Sequence, residues 1–301
     1  MVKIINVNID MKFVKISIIL SFLISVGFSS HSEIFPKDAA KAAVYEKLEM
    51  PDPDSDGRIQ TLNKKGAMSP DLDAMSREFV TFAALPNIKV LEIGAGYGHA
   101  CQEALKQGSC NYHVNDMDLR HLKILARRIE IFNKDYLSFI HLIPGAFSSA
   151  LNLSEDEYDA ILIARVLHFM TPVEVSETLN QAYKILKPGG CIYAVMLSPY
   201  VKGYASFIPE FERRIQNNQP FPGYVENLTH YIDCNIVPET NQKNMTDNFL
   251  FFNVKTANDS FEQAGFFVEK AVNMPLTYPS KIWQLDGREN IGVMARKPKI
   301  N

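Results

Sequence analysis

The sequence predicts an α/β fold in which helices cover both faces of a doubly wound, mainly parallel sheet. An apolar segment with β-branched residues, 90–93, ends in a glycine-rich loop, and short apolar segments then alternate with helical patterns as far as residue 197. The chain has 301 residues and is 47% hydrophobic, which suits one large α/β domain with insertions. Alternating strands and helices are typical of a parallel sheet.

The glycine loop lies between the first strand and the first helix of this domain. The segment 89–100 reads KVLEIGAGYGHA, so Gly94, Gly96 and Gly98 follow the strand and a helical pattern begins at His99. Glycine lets the backbone turn sharply and approach a ligand closely, and the free N–H groups at the helix start favour an anionic or strongly polar partner. The loop therefore predicts a site for a nucleotide-like cofactor.

The other elements are predicted in chain order. Further strands are expected at 111–116, 138–143, 158–164, 191–197, 267–272 and 291–296, and helices at 37–49, 70–84, 99–106, 119–132, 173–185 and 256–266. Ser69 is expected to cap the helix at 70–84, with Pro70 at its first position. Pro188, Gly189 and Gly190 are expected to end the preceding helix and force a sharp entry into the strand at 191–197.

Acidic side chains at the end of the second strand predict a contact with a sugar. Asp116 ends this strand, about 18 residues after the glycine loop, where a carboxylate can hydrogen-bond to two ribose hydroxyls. Asp118 is the competing candidate. Alternatively, both carboxylates only cap the helix that follows.

The order of the motifs resembles that of class I S-adenosylmethionine-dependent methyltransferases. The matching residues are Glu92 with the three glycines of the loop, Asp116, Leu167-His168, Lys187-Pro188-Gly189-Gly190 and Ala264-Gly265-Phe266, within 87–198 and 251–298. The resemblance implies a Rossmann-like, seven-stranded sheet with an antiparallel last strand, and S-adenosylmethionine as cofactor. A nicotinamide-dependent oxidoreductase would need G-x-G-x-x-G, whereas position 99 is His. An inactive cofactor-binding module would need only the first half of the motifs.

The resemblance also implies roles for individual residues. The expected cofactor contacts are Glu92, Gly94, Ala95, Gly96, Gly98, Asp116, Met117, Ala146, Phe147 and Arg165. The family often has Asp where this chain has Ala146, so the adenine would be held by backbone groups and apolar contacts. His168 is the candidate general base, because imidazole titrates near neutral pH; its alternative role is packing. Arg165 is a second catalytic candidate, suited to binding a carboxylate or phosphate of the acceptor.

Residues 199–250 are predicted to form a substrate-side insertion after the fifth strand. The segment is polar and irregular but rich in Tyr and Phe, and it follows a strand whose end lies at the ligand-binding edge of an open α/β sheet. Aromatic side chains suit an apolar pocket, so a small molecule with an O or N acceptor is the first choice and a protein acceptor the second. The net charge of −3 provides no basic field for nucleic acid.

The first 32 residues carry a signal-like pattern. Lysines precede an apolar run at 16–28, and small residues follow it at 29–32, which is the order of a secretory signal. A secreted or membrane-associated protein is therefore expected, with membrane contact only through 11–28 and with Met11 as an alternative start. The next segment, 33–86, would be a helical extension of a methyltransferase domain at 87–301. Because S-adenosylmethionine is cytosolic, an exported enzyme would have to act in another cytosol, as an effector does.

No metal site is predicted. The four cysteines form no C-x-x-C pair and have no histidine at zinc spacing, so free thiols are expected, with a disulfide between Cys101 and Cys110 as the alternative. The acidic segment 52–57 matches the opening of a calcium loop. Position 63 is Asn where such a loop needs Glu, so a solvated turn is expected.

Overall fold

The computed structural model describes residues 34–242 and 248–299, in which strands and helices alternate along most of the chain. The strands are β1 (Ile59–Gln60), β2 (Ala67–Met68), β3 (Val90–Ile93), β4 (Tyr112–Asp116), β5 (Ile140–Pro144), β6 (Tyr158–Ala164), β7 (Leu186–Leu197), β8 (Tyr224–Val225), β9 (Phe249–Leu250), β10 (Phe267–Met274) and β11 (Asn290–Arg296). The α-helices are α1 (Pro36–Tyr45), α2 (Ala74–Ala83), α3 (His99–Lys106), α4 (Leu119–Phe132), α5 (Pro172–Ile185), α6 (Ile208–Gln216), α7 (Glu239–Gln242) and α8 (Val254–Gln263). The signal-like segment 1–32 lies outside the described residues.

A seven-stranded mixed sheet, in the order β10-β11-β7-β6-β3-β4-β5, organises the fold. Strands β3 to β7 pair in parallel, and β11 pairs antiparallel with both β7 and β10. The predicted sheet with an antiparallel last strand is therefore confirmed. The chain runs from β3 to one edge and then returns to β6 on the other side of β3, so the strand order reverses between β3 and β6. Ligands of open α/β sheets bind in the crevice at such a reversal.

Each face of the sheet has its own hydrophobic core. Successive residues of a strand point to opposite faces, so Val90 and Ala160 pack with α2, α3 and α4, whereas Leu91 and Ile161 pack with α5 and α8. All of β3 is buried, as expected for a parallel strand covered on both sides. The glycine loop therefore starts from a rigid part of the molecule.

The N-terminal extension differs from the prediction at its second helix. The expected cap at Ser69 is wrong, because α2 begins at Ala74 and is capped by Asp73, whose carboxylate accepts from the N–H of Ser76 at 2.9 Å. Strands β1 and β2 pair antiparallel, so the chain is still leaving a strand at Ser69. Residues 59–69, which we call the N-terminal hairpin, are thus not part of a helix.

The proline and glycines before the fifth strand of the domain form a bulge within β7. Its pairing with β6 begins at Leu186, opposite Tyr158, and continues at Cys191, opposite Ala160. Gly189 has φ +84°, a left-handed conformation that glycine adopts without strain. The predicted sharp entry lies inside a longer strand, because α5 already ends at Ile185.

The described parts of the segment 199–250, residues 199–242 and 248–250, contain more regular structure than the predicted irregular insertion. It contains α6 and the short pair β8–β9, and its aromatic residues form a third hydrophobic cluster with Trp283. Tyr204, Phe207 and Phe211 are buried in this cluster. Several of its aromatic residues therefore stabilise the segment itself. Within 34–242 and 248–299, no helix combines the length and apolar character needed to cross a bilayer.

Candidate active site

The glycine loop bends in the left-handed region at each of its three glycines. Gly94, Gly96 and Gly98 have φ values of +69°, +54° and +75°. A Cβ atom on Gly94 would lie 2.4 Å from Val166, and one on Gly98 would lie 2.4 Å from Leu125, whereas a Cβ on Gly96 would meet open space. Gly94 and Gly98 therefore let the loop pack closely, and Gly96 faces the space where a ligand can lie.

Asp116 connects the glycine loop to the end of β4. Its Oδ2 accepts from the N–H of Gly96 at 2.8 Å, and its Oδ1 accepts from the N–H of Asp118 at 2.8 Å and faces Nδ1 of His121 at 3.0 Å. Asp118 is the residue that caps α4, accepting from the N–H of Arg120. The two candidate carboxylates thus differ in position, and Asp116 is the one held beside the loop.

Glu92 is buried beneath the loop. The hydroxyl of Tyr112 donates to its Oε2 at 2.7 Å. Burial raises the pKa of Glu92 to about 7, although the hydrogen bond from Tyr112 acts in the opposite direction. Near neutral pH this carboxyl group therefore exists in both its protonated and its charged forms.

A first cavity, of about 790 Å³, joins these groups at the carboxyl ends of β3, β4 and β6. The predicted cofactor contacts that line it are Glu92, Gly94, Ala95, Gly96, Asp116, Met117, Ala146, Phe147 and Arg165. Gly98 does not line it, because its α carbon packs towards Leu125. The volume is that of a typical small-molecule or cofactor site.

The N-terminal hairpin forms part of the wall of the first cavity. The N–H of Leu62 donates to Nε2 of His121 at 3.0 Å, and the hydroxyl of Tyr97 donates to the carbonyl of Gln60 at 2.9 Å. Because Nε2 of His121 accepts, Nδ1 carries the proton of the neutral ring and donates to Asp116. No sequence pattern indicated this wall, since the hairpin is short, polar and without clear periodicity.

Arg165 follows β6 and is held by an ion pair with the N-terminal extension. Its φ is +60°, and its Nη1 donates to Oδ2 of Asp73 at 2.8 Å. Burial alone would raise the pKa of Asp73, but the Arg165 guanidinium and the hydrogen bonds from Ser76 hold this pKa below its usual value. The charge of Arg165 is therefore fixed in place by a buried carboxylate.

A second cavity, of about 190 Å³, shares Arg165 with the first in its lining. Arg165, Phe169 and residues of the N-terminal hairpin line both cavities. Its aromatic and aliphatic lining consists of Phe169, Leu197, Val201, Tyr204, Leu228, Phe249, Leu276, Tyr278 and Trp283. The segment 199–250 thus contributes to the wall. The connection between β10 and β11 also contributes, although its sequence has no pattern that indicated such a role.

His168 lines the second cavity and not the first. Its ring stacks on Phe249, with centroids 4.9 Å apart, and its Nδ1 accepts from the N–H of Leu197 at 3.3 Å. Burial, with a smaller effect of Arg165, lowers the pKa of His168 to about 3. The ring is then neutral at pH 7 with its proton on Nε2, so it can donate a hydrogen bond into the second cavity. Its role as a general base stays a prediction that this geometry disfavours.

The described residues outside the two cavities show no metal centre. Among residues 34–242 and 248–299, no group of three or more His, Cys, Asp or Glu side chains is placed to hold a metal ion. In the acidic segment 52–57, Asp54 accepts from the N–H groups of Asp56 at 3.0 Å and Arg58 at 2.9 Å, as a turn does. All four cysteines are free thiols, with Cys101 and Cys191 buried.

The comparisons with known proteins agree with this arrangement. Residues 91–192 match the family model described as a methyltransferase domain. This stretch contains the glycine loop, Asp116 and the residues that directly follow β6. Together with the sheet order and the cavity beside the loop, the match shows that the chain contains a class I S-adenosylmethionine-dependent methyltransferase domain, a family whose cofactor is S-adenosylmethionine.

Curated relatives with similar sequence are far longer than this chain. The chain is 34% identical over 116 residues to the highly reducing polyketide synthase ctvA of Aspergillus terreus, covering 38% of this chain and 5% of the synthase. It is 33% identical over 115 residues to the hybrid PKS-NRPS synthetase poxE of Penicillium oxalicum, covering 37% of this chain and 3% of the synthetase. The similarity is thus confined to one small part of each synthase.

Solved structures share the fold of this chain. A SAM-dependent methyltransferase of Methanosarcina mazei superposes with a TM-score of 0.50 at 17% identity, covering 76% of this chain and all (100%) of that chain. The YcgJ protein of Bacillus subtilis gives a TM-score of 0.50 at 12% identity, covering 75% of this chain and 99% of that one. At such low identity the likeness shows the fold alone.

Proposed function

We propose that the protein binds S-adenosylmethionine in the first cavity and transfers its methyl group to a small molecule held in the second. The observation that carries this proposal is that the two cavities share part of their lining. Arg165 and Phe169 line both, with the glycine loop and Asp116 on the side of the first cavity. A donor and an acceptor bound on either side of these residues would be neighbours, as a direct transfer requires.

The lining of the first cavity fits S-adenosylmethionine. Gly96 leaves open space, Asp116 offers a fixed carboxylate to sugar hydroxyls, and Met117 and Phe147 offer apolar surface to a base. Carboxylates also favour the positive charge that the cofactor carries. When bound, S-adenosylmethionine supplies a methyl group activated on a sulfonium centre, so the protein mainly has to bind, orient and exclude water.

The side chains around the second cavity would perform the positioning. The aromatic wall excludes water, and Phe169 with Arg165 fixes the direction from which an acceptor approaches the first cavity. A volume of about 190 Å³ suits a small molecule better than a protein segment. We therefore place a small-molecule acceptor before a protein acceptor.

Binding and transfer can be tested separately. Isothermal titration of the full chain with S-adenosylmethionine and with NADH should give binding of the first compound only. Incubation with methyl-labelled cofactor and a small-molecule extract should then label a low-molecular-weight product. Binding without any transfer would instead identify an inactive cofactor-binding module, and binding of NADH would favour an oxidoreductase.

The cellular location forms a separate proposal. The signal-like pattern at 11–32 is the reason to propose export. Because S-adenosylmethionine is cytosolic, an exported form would have to enter another cytosol to act. A protein with both properties would be an effector. N-terminal sequencing of the protein isolated from its producing cell should begin near residue 30 if the segment is removed. An intact N-terminus would remove the reason for this proposal.

A further inference from the structure

The buried polar atoms without a hydrogen-bond partner concentrate at the second cavity. Within the described residues, four buried side-chain atoms lack a partner: Ser109 Oγ, Arg165 Nη2, Trp283 Nε1 and Asn290 Oδ1. Arg165, Trp283 and Asn290 all line the second cavity. Leaving a buried polar atom unpaired is unfavourable, so the clustering of three such residues at one cavity indicates a ligand that pairs with them.

Two of these three atoms are donors. Arg165 Nη2 and Trp283 Nε1 each carry N–H groups, and His168, with its Nδ1 already accepting, adds Nε2–H as a further donor to the same cavity. Asn290 is fully buried and contributes one acceptor, Oδ1. The cavity therefore favours a ligand that presents mainly acceptor oxygens.

The charge of the lining favours the same kind of ligand. Arg58, Lys64, Lys65 and Arg165 line the second cavity, and no Asp or Glu is among its described lining residues. The carboxylates that pair with the two arginines, Asp54 and Asp73, do not line it. An amine that is protonated at neutral pH would find no negative side chain among these described lining residues, whereas an anion would be attracted by the four cationic ones.

Among the described residues that line the second cavity, the histidine and the two tyrosines are poorly suited to removing a proton. Nδ1 of His168 is occupied by Leu197, and burial keeps this ring a weak base. Burial also raises the pKa of the hydroxyls of Tyr204 and Tyr278. An acceptor that needed deprotonation, such as an alcohol, would receive little help from these side chains. A carboxylic acid needs none, because it is ionised at neutral pH.

We propose that the methyl acceptor is a small apolar carboxylate, which is converted to its methyl ester. This inference rests on the proposed function. One carboxylate oxygen accepts from Arg165 and Trp283, and a lone pair of the other oxygen forms the new O–CH₃ bond as the S–CH₃ bond breaks. The electron pair of the broken bond stays on sulfur, the positive sulfonium and the negative carboxylate are both neutralised, and no proton is released.

The first test is a binding comparison in the second cavity. The full chain, saturated with S-adenosylhomocysteine, is titrated with benzoate, phenylacetate and hexanoate and with the primary amide of each. We expect at least one acid to bind at least about tenfold more tightly than its amide, because hydrogen bonds to a charged acceptor are the stronger ones. If no acid of the panel binds more tightly than its amide, the proposal is overturned.

A variant links this preference to the unpaired donors. Trp283→Phe removes Nε1–H but keeps an aromatic ring, and we expect it to weaken binding of the preferred acid about tenfold while S-adenosylmethionine binds as before. Ser109→Ala is the matched control, since Ser109 Oγ is also buried and unpaired among the described residues but lines neither cavity. Unchanged affinity for the acid in Trp283→Phe, or an equal loss in Ser109→Ala, would contradict the assignment.

Transfer itself distinguishes this inference from the proposed function. With methyl-labelled S-adenosylmethionine and the preferred acid, the label should appear in a product that mild alkali converts to volatile methanol, as a methyl ester does. Label in an alkali-stable product would overturn the carboxylate assignment while leaving the methyltransferase function intact. Failure to bind S-adenosylmethionine at all would instead remove the proposed function.

Discussion

The two cavities that meet at Arg165 have linings of opposite charge. Carboxylates line the first cavity, alongside Lys65, Arg165 and Lys184; they are Asp71, Glu92, Asp116, Glu174 and Glu177. The second cavity has four cationic lining residues, Arg58, Lys64, Lys65 and Arg165, and no carboxylate among the described ones. The contrast suits a cationic methyl donor on one side and an anionic acceptor on the other, which attract each other across the shared wall.

The largest effect is expected for substitutions at the wall that the two cavities share. Arg165→Met would leave the carboxylate of Asp73 buried without its cation, and we expect a loss of about 3 kcal/mol in the free energy of unfolding. Urea denaturation measures this loss. The double variant Asp73→Asn, Arg165→Met removes the buried charge but keeps a good N-cap, so it should recover at least half of the loss. A double variant no more stable than the single one would show that Asp73 and Arg165 are not coupled in this way.

Glu92, a carboxylate of the first cavity, predicts that the stability of the fold depends on pH. Because burial raises the pKa of Glu92 from 4.5 to about 7, the folded state holds a proton that the unfolded state releases. This contribution is fully present below about pH 4.5 and is lost as the pH rises through about 7. Relative to wild type, Glu92→Gln should gain on the order of 3 kcal/mol between pH 5 and pH 8.

Urea melts of both proteins at pH 5 and pH 8 measure this gain. Glu226→Gln, a change at an exposed glutamate, serves as the control. A difference between Glu92→Gln and wild type that stays constant across this pH range would mean that Glu92 keeps its charge in the fold.

The ribose contact is tested by Asp116→Ala. This change removes a carboxylate already fixed beside the glycine loop, and we expect the affinity for S-adenosylmethionine to fall about 100-fold, as for loss of strong charged hydrogen bonds. Asp118→Ala is the matched control, since Asp118 caps α4, and it should cost about 1 kcal/mol of stability with little change in affinity. Calorimetric titration compares the two, and equal losses of affinity would remove the distinction between these carboxylates.

The smallest effect is expected at His168 in the second cavity. If this residue donates a hydrogen bond, His168→Asn should lower kcat/KM about tenfold without altering its dependence on pH. If it acts as the general base, the wild-type profile should instead show an ascending limb that the variant lacks. Profiles between pH 5.5 and pH 9, taken with the acceptor found by label transfer, decide between the two roles.

The parts of the fold that the sequence predicted correctly depend on local interactions. The predicted bounds of α3 and α4 agree with the structure, because apolar spacing, the glycine loop and the Asp118 cap act within a few residues of each helix. The expectation of seven strands with an antiparallel last strand followed from the resemblance of ordered motifs to a known family and not from the spacing of any one strand.

The parts that the sequence did not predict depend on contacts between distant segments. Asp73 pairs with Arg165, and Leu62 with His121, across wide gaps in sequence, so no local pattern reveals either contact. Trp283 reaches the second cavity from the connection before β11, where turn-rich sequence gave no sign of a role. His168 was a candidate base because an imidazole ordinarily titrates near neutral pH. Its burial lowers that pKa, and burial is a property of the folded chain that the sequence pattern does not reveal.

The hydrogen bonds that hold the N-terminal hairpin in place have a consequence for the catalytic cycle. Three contacts hold this segment against the walls of the first cavity. They are the hydrogen bonds from Leu62 to His121 and from Tyr97 to Gln60, and the contact between His99 and Ser69. Spent cofactor has to leave and fresh cofactor has to enter once in every round, and we expect these hydrogen bonds to open and close during that exchange. We expect the escape of S-adenosylhomocysteine to be slower than the chemical step and to set the turnover number.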